Sequence, residues 1–233
     1  MRTTASVTVV LAGLLLGVTL VATTATAIPV SGRLDIPRNF APPHVESEGP
    51  AGYYWQERNG VIDARPPRVD VPREVAAVLL GDIENRPDSS FQIQGGNLLP
   101  STLVVQAGSN LRIQNTDGCS HELFVLDMEA FAALQTAPGN ARTVQLPGEA
   151  SHFVIQDRIH PHVKAHVHIV TNLVARARLG DDGRFSFEDV PPGTYTLKVY
   201  YGELEVGSRE IVVEDGRDLT IEEPLSLTLP ASQ

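Results

Sequence analysis

Residues 154–170 read VIQDRIHPHVKAHVHIV, and their side chains follow a two-residue period. Ile159, Val163, Ala165, Val167 and Ile169 take odd positions, whereas four of the seven histidines, His160, His162, His166 and His168, take even ones. Successive side chains of a β-strand point to opposite faces. The stretch therefore predicts a strand, a turn around Pro161 and a second strand, with one face buried and a row of imidazoles on the other. Pro161 fixes its own φ and disfavours helix at the preceding residue, so His160 is held extended. Imidazole is the commonest metal-ligating side chain and titrates near neutral pH. The row is thus either a metal site or a solvated polar face.

Residues 1–27 read as a targeting segment. Arg2 gives a positive start, residues 7–22 are apolar, and Ala25-Thr26-Ala27 fits a small-x-small cleavage site. The apolar run is short for a membrane span. No later stretch is long or apolar enough to cross a bilayer, so the expected product is exported, periplasmic or secreted, with no transmembrane segment after signal removal. Cys119 is the single cysteine, which rules out an intramolecular disulfide. The fold must rest on a hydrophobic core or on a metal. The net charge of −10 argues against nucleic acid and anionic membrane surfaces as partners. A partner protein is left open, and none can be named.

Residues 28–34 look like a strand. Residues 36–72 are rich in Pro, Gly and charge and predict a mostly irregular segment, pinned by the cluster Tyr53-Tyr54-Trp55. Residues 74–80 (EVAAVLL) read as a buried strand, and from Phe91 onward short alternating runs are separated by Gly and Pro turns. That texture predicts an all-β sandwich or barrel. Val105, Leu111, Ile113, Val154 and Val167 are expected in its core. Residues 127–135 (DMEAFAALQ) are expected to form a short helix capped by Asp127. After Thr171, a Gly180-Asp181-Asp182-Gly183 hairpin turn and Val190-Pro191-Pro192-Gly193 bracket a second strand set, with Phe185, Phe187, Tyr195 and Leu197 as its core.

Residues 97–170 resemble a cupredoxin, the copper-binding Greek-key sandwich. The resemblance rests on Val105-Gln106-Ala107-Gly108-Ser109 before a strand, Asn115-x-Asp117-x-x-x-His121, and Pro147-Gly148 leading to Asp157-x-x-His160-Pro161-x-Val163. More narrowly, the chain looks like exported cupredoxin-like proteins labelled plastocyanin-like or methylamine utilisation protein-like. Residues 173–214 resemble a carboxypeptidase regulatory-like, transthyretin-like module through Gly183-Arg184-Phe185-Ser186-Phe187 and Val190-Pro191-Pro192-Gly193-Thr194-Tyr195. The expected layout is a signal peptide over 1–27, a strand and Pro-rich segment over 28–72, a cupredoxin-like domain over 73–172 and a transthyretin-like β-sandwich over 173–229. Val30 to Leu34 is a candidate strand of the second sandwich, with the cupredoxin unit inserted between.

The resemblance implies copper ligands at His121 and His160. Cupredoxins commonly carry Cys-x-x-His-Pro-x-Met, so Asp157 stands where the thiolate would be and Val163 where the axial Met would be. A blue-copper site needs a thiolate, two imidazoles and a weak axial ligand. Candidate metal ligands are therefore His121, His160, His162 and Asp157, suited to copper or zinc. Cys119 can supply a replacement thiolate from the other loop, although a tight turn need not aim Cys119 and His121 at one point. His166 and His168 can chelate an ion on a strand face that Lys164 would make less attractive to a cation. His152 has no readable partner. Asp181 and Asp182 can hold calcium, but such a turn needs no metal. No G-x-S-x-G elbow, phosphate loop, H-E-x-x-H or dinucleotide fingerprint is present, so no enzyme is expected. The expectation is an exported binding or structural protein, a degenerate cupredoxin lacking the blue-copper Cys and Met. Two alternatives stay open: a histidine-based copper or zinc protein for metal handling, and an electron-transfer protein using Cys119.

Overall fold

The computed structural model describes residues 28–37, 40, 69–82 and 89–229. The targeting segment, His44, Asp63 and the Tyr53-Tyr54-Trp55 cluster lie outside the described residues. Strand β1 (Ile28–Asp35) comes first, and a one-turn helix (Val71–Glu74) leads into β2 (Val75–Leu80). Nine strands follow: β3 (Ser90–Gln94), β4 (Asn97–Leu99), β5 (Thr102–Gln106), β6 (Asn110–Asn115), β7 (His121–Val125), β8 (Leu134–Thr136), β9 (Ala141–Gln145), β10 (Ser151–Asp157) and β11 (Lys164–Val170). The chain ends in β12 (Leu173–Arg176), β13 (Arg178–Leu179), β14 (Arg184–Val190), β15 (Gly193–Tyr201), β16 (Leu204–Val213), β17 (Leu219–Thr220) and β18 (Leu225–Ser226). Among the described residues no helix is long and apolar enough to cross a membrane.

The strands form two sandwiches. The first stacks a sheet ordered β5-β11-β10-β7-β8 on a sheet ordered β4-β3-β6-β9. Its core includes Ile93, Leu103, Leu111, Ile155, Val163, Ala165 and Val167, all buried. The alternation of residues 154–170 thus does its expected work over β11: odd positions fill the core. Two expectations for that stretch fail. Phe153 and Ile155 turn inward, so Val154 is carried to the opposite face by the period of two. Ile159 lies in the turn, outside either strand, and is exposed. The expected helix over 127–135 shrinks to a single 3₁₀ turn (Glu129–Phe131), because Phe131 is drawn fully into the core, Met128 only partly, and β8 pairs with β7 straight after. Asp127 adopts φ 58°, a left-handed conformation that does not start a helix.

The second sandwich takes strands from both ends of the chain. One sheet runs β13-β14-β1-β17, with β18 also on β1, and the other runs β12-β2-β15-β16. Val30 pairs with Phe187 and Gly32 with Phe185, so β1 belongs to the C-terminal strand set. β2 does too: Leu79 pairs with Leu197, and Val75, Ala77 and Leu79 sit in the same core as Phe187 and Tyr195. The expected boundaries at residues 72 and 73 therefore do not follow the pairing. The reason is that VAAVLL is buried on both faces, and such a run carries no alternation to indicate which sheet it joins.

A small third cluster, Val78, Leu80, Val104, Leu173 and Tyr200, joins the two sandwiches. Polar contacts reinforce it. Thr102 Oγ1 donates to the Glu74 carbonyl (2.6 Å) and accepts from the Gly202 amide (2.9 Å), and Arg176 Nε donates to the Val104 carbonyl (2.6 Å). In the Gly180–Gly183 turn, Asp182 accepts the Arg184 amide at 3.1 Å and pairs with its guanidinium at 3.3 Å.

Phe187 is fully buried, whereas the side chain of Ile159 is 44% exposed. Phe187→Ala should therefore cost about 3–5 kcal/mol, and Ile159→Ala no more than ~0.5 kcal/mol. Urea unfolding of the two variants against wild type measures the difference.

Candidate metal centre

Two loops meet at one end of the first sandwich. The first, residues 116–120, joins β6 to β7 and is shaped by Asn115, which is completely buried. Asn115 Nδ2 donates to the carbonyls of Cys119 (2.8 Å) and Thr136 (3.0 Å), and its Oδ1 accepts the Asp117 amide (3.0 Å). This Asx turn folds the loop back on itself. Asp117 then ties the loop to the β3–β4 hairpin, accepting the amides of Gly95 (2.6 Å) and Gly96 (2.8 Å). Those two amides converge because both glycines take positive φ, 62° and 71°, which side chains resist.

The second loop, residues 158–163, joins β10 to β11. Asp157, at the end of β10, is buried and organises it. Its Oδ1 accepts the amides of Ile159 (2.8 Å), His160 (3.2 Å) and Glu122 (3.1 Å). Its Oδ2 accepts from His121 Nδ1 at 2.5 Å. Val163 closes the loop from below, fully buried. Pro161 and His162 are exposed, and the His162 ring lies 6.0 Å from that of His160.

The fully buried His121 is thus fixed from one side. An ionised carboxylate only accepts, so Nδ1 carries its proton toward Asp157 and Nε2 faces the other way. There it meets Asp117 Oδ2 at 3.3 Å and Cys119 Sγ at 3.8 Å. The His160 ring lies 4.9 Å from that of His121, and its Nε2 donates to the Ser120 carbonyl at 3.2 Å, which leaves Nδ1 with the lone pair. One donor atom from each of Cys119, His121 and His160 falls within 4.8 Å of the others. Donor atoms held about 2.0–2.3 Å from a tetrahedral ion lie roughly 3.3–3.7 Å apart. The contacts of His121 Nε2 are close to those separations.

Of the four ligands expected from sequence, the structure brings His121 and His160 together. Asp157 touches the site through His121, with both oxygens already engaged by hydrogen bonds. His162 stands apart from the cluster. Cys119, weighed from sequence as a replacement thiolate against a plain turn residue, points at the same space as His121, with its carbonyl held by Asn115. Asn115 and Asp117 carry the loop without having been singled out as site residues. Their signal was the Asn-x-Asp-Gly pattern of a side-chain-closed turn.

The electrostatics favour two ionised carboxylates. Burial raises the carboxyl of Asp157, but the His121 imidazole and the amides of Glu122, Ile159 and His160 outweigh it and hold the group below its ordinary range. Burial likewise works against ionisation of Asp117, and the amides of Gly96 and Gly95 together with His121 overcome it. A depressed carboxylate pKa contributes stability above the unfolded value of about 3.9, and that contribution is lost as pH falls through the lower folded value. Wild type should lose stability steadily below about pH 4. Asp157→Asn should be less stable at neutral pH and should show a flatter acid limb, as read by urea unfolding across a pH series.

The sequence model of the carboxypeptidase regulatory-like domain matches residues 153–226. Its first residues fall on β10 and β11 of the first sandwich, and the remainder on the second. Among solved structures, the oxidised state of an amicyanin mutant is 18% identical, covering 35% of this chain and 80% of that one at a TM-score of 0.32. A purple cupredoxin from Nitrosopumilus maritimus is 14% identical, covering 36% of this chain and 100% of that one at 0.30. The Cu-containing nitrite reductase of Thermus scotoductus SA-01 is 16% identical, covering 40% of this chain and 26% of that one at 0.32. No curated protein matches the chain. The chain is thus similar in sequence to carboxypeptidase regulatory-like domains over residues 153–226, and its structural neighbours are cupredoxins.

Proposed function

We propose that the protein is an exported metal-binding protein that handles copper or zinc through Cys119, His121 and His160. One observation carries the reading: three donor atoms of the right chemistry lie within 4.8 Å of one another. A thiolate with two imidazoles suits copper and zinc alike. The thiolate comes from the loop before His121, whereas the family pattern would place it at position 157. Asp157 takes a supporting role. A metal-ligating histidine commonly donates its other N–H to a carboxylate, which fixes the tautomer and raises ligand basicity, and His121 makes that contact.

The site differs from an electron-transfer centre in two respects. Val163 is apolar, buried and unable to serve as an axial ligand. Cys119 is exposed, so the thiolate side opens to solvent, which favours loading and release of an ion over a sealed redox site. The role is one of binding, with no catalytic group assigned.

A metal-free structural role is the second reading, and the Asp117 contact favours it. A proton on Nε2 would let His121 bridge Asp157 and Asp117 at 2.5 and 3.3 Å without any ion.

Cu(II) added to the purified protein separates the two. The metal reading expects a thiolate-to-copper absorption band, abolished by Cys119→Ser and weakened at least ~tenfold in apparent affinity by His160→Ala. A wild-type spectrum identical to that of Cys119→Ser would overturn it and leave His121 as a structural bridge.

A further inference from the structure

Three histidines gather at a second place, on the outer face of the β10–β11 pair, away from the loop end. His152 and His168 are direct cross-strand partners, and His166 is their diagonal neighbour two residues along. Their side chains converge as that register requires. The His152 and His166 rings stack with centroids 5.5 Å apart, and the His152 and His168 rings lie 4.8 Å apart. His152 Nε2 and His166 Nδ1 approach to 3.3 Å.

We propose that His152 and His166 form a second binding site for a divalent transition-metal ion, zinc-like in its preference for imidazole, with His168 packed beside the pair. Two nitrogens bound to one tetrahedral zinc at about 2.0–2.1 Å stand roughly 3.3 Å apart, which is the separation of His152 Nε2 and His166 Nδ1. His168 packs against the His152 ring as a positioning residue. Its Nε2 donates to the Gly202 carbonyl at 2.8 Å, which anchors the ring. Tyr200 stacks on the same ring at 4.4 Å and fixes its plane.

The charge around the cluster also suits a cation. Lys164 shares the strand face, but Glu203 acts on His166 and Glu205 on His168, offsetting it. The competing arrangement is a single proton shared between His152 and His166, which needs no ion.

The test uses the full chain carrying Cys119→Ser and His160→Ala, which removes donors from the loop-end centre, with Zn(II) as probe. Zinc should still bind at one site in this background, and either His152→Ala or His166→Gln should weaken it by ~tenfold or more. His152 is exposed, so thermal unfolding of the zinc-free His152→Ala variant should match its parent. No zinc binding in the background, or zinc affinity unchanged in both variants, would overturn the proposal. Either result is independent of whether Cys119 holds an ion at the loop end.

Discussion

The buried carboxylate of Asp157 holds the end of the first sandwich together. It accepts three backbone amides and one imidazole, and those four donors come from both sides of the site: β7, through Glu122 and His121, and the 158–163 loop, through Ile159 and His160. A buried charge is tolerated only when hydrogen bonds replace its lost hydration. Here the replacement is complete, and completing it fixes the distance between the two loops. His121 then has a single free direction for Nε2, and Cys119 and Asp117 lie along it. Position 157 thus serves by hydrogen bonding alone, and the donor atoms of Cys119, His121 and His160 gather beside it.

The sandwich beneath positions these loops with little freedom. Val163 and Ile155 anchor the two ends of the 158–163 turn in the core, and Asn115 performs the same service for the 116–120 turn with hydrogen bonds instead of apolar burial. The Asp117 carboxylate extends the brace to the opposite sheet through Gly95 and Gly96. The site is thus built on both sheets at once, and its geometry depends on how they stack.

Local periodicity made much of this legible in the sequence. The alternation of residues 154–170 gave the strand–turn–strand unit and its buried face, and the Gly and Pro turns gave the all-β class. The pairing of His121 with His160 followed from a family resemblance, since the residues are 39 positions apart and no local pattern connects them. Three features stayed hidden for one shared reason: each depends on contacts distant in sequence. The aim of Cys119 depends on Asn115 reaching across its turn to Thr136. The meeting of His152 with His166 depends on the register between β10 and β11. The allegiance of β2 depends on β15, which lies more than a hundred residues later. A residue's own neighbours hold no record of such partners.

The borrowing of β1 and β2 by the second sandwich sets an order of assembly. All nine strands of the first sandwich are contiguous in sequence, so that unit can close without the rest of the chain. β1 must wait, unpaired, until β14 has been made, and β2 until β12 and then β15 have been. Once the first sandwich has formed, it brings the end of β2 and the start of β12 side by side: Leu80 pairs with Leu173, and the Gly81 amide bonds the Asn172 carbonyl at 3.0 Å. What would be the closure of a loop of roughly ninety residues becomes a local docking step, with most of its entropic cost already met by the folded insert. The first sandwich thereby acts as a template for the second, and a lesion that unfolds it should leave two apolar N-terminal strands without partners, exposed to association with other chains.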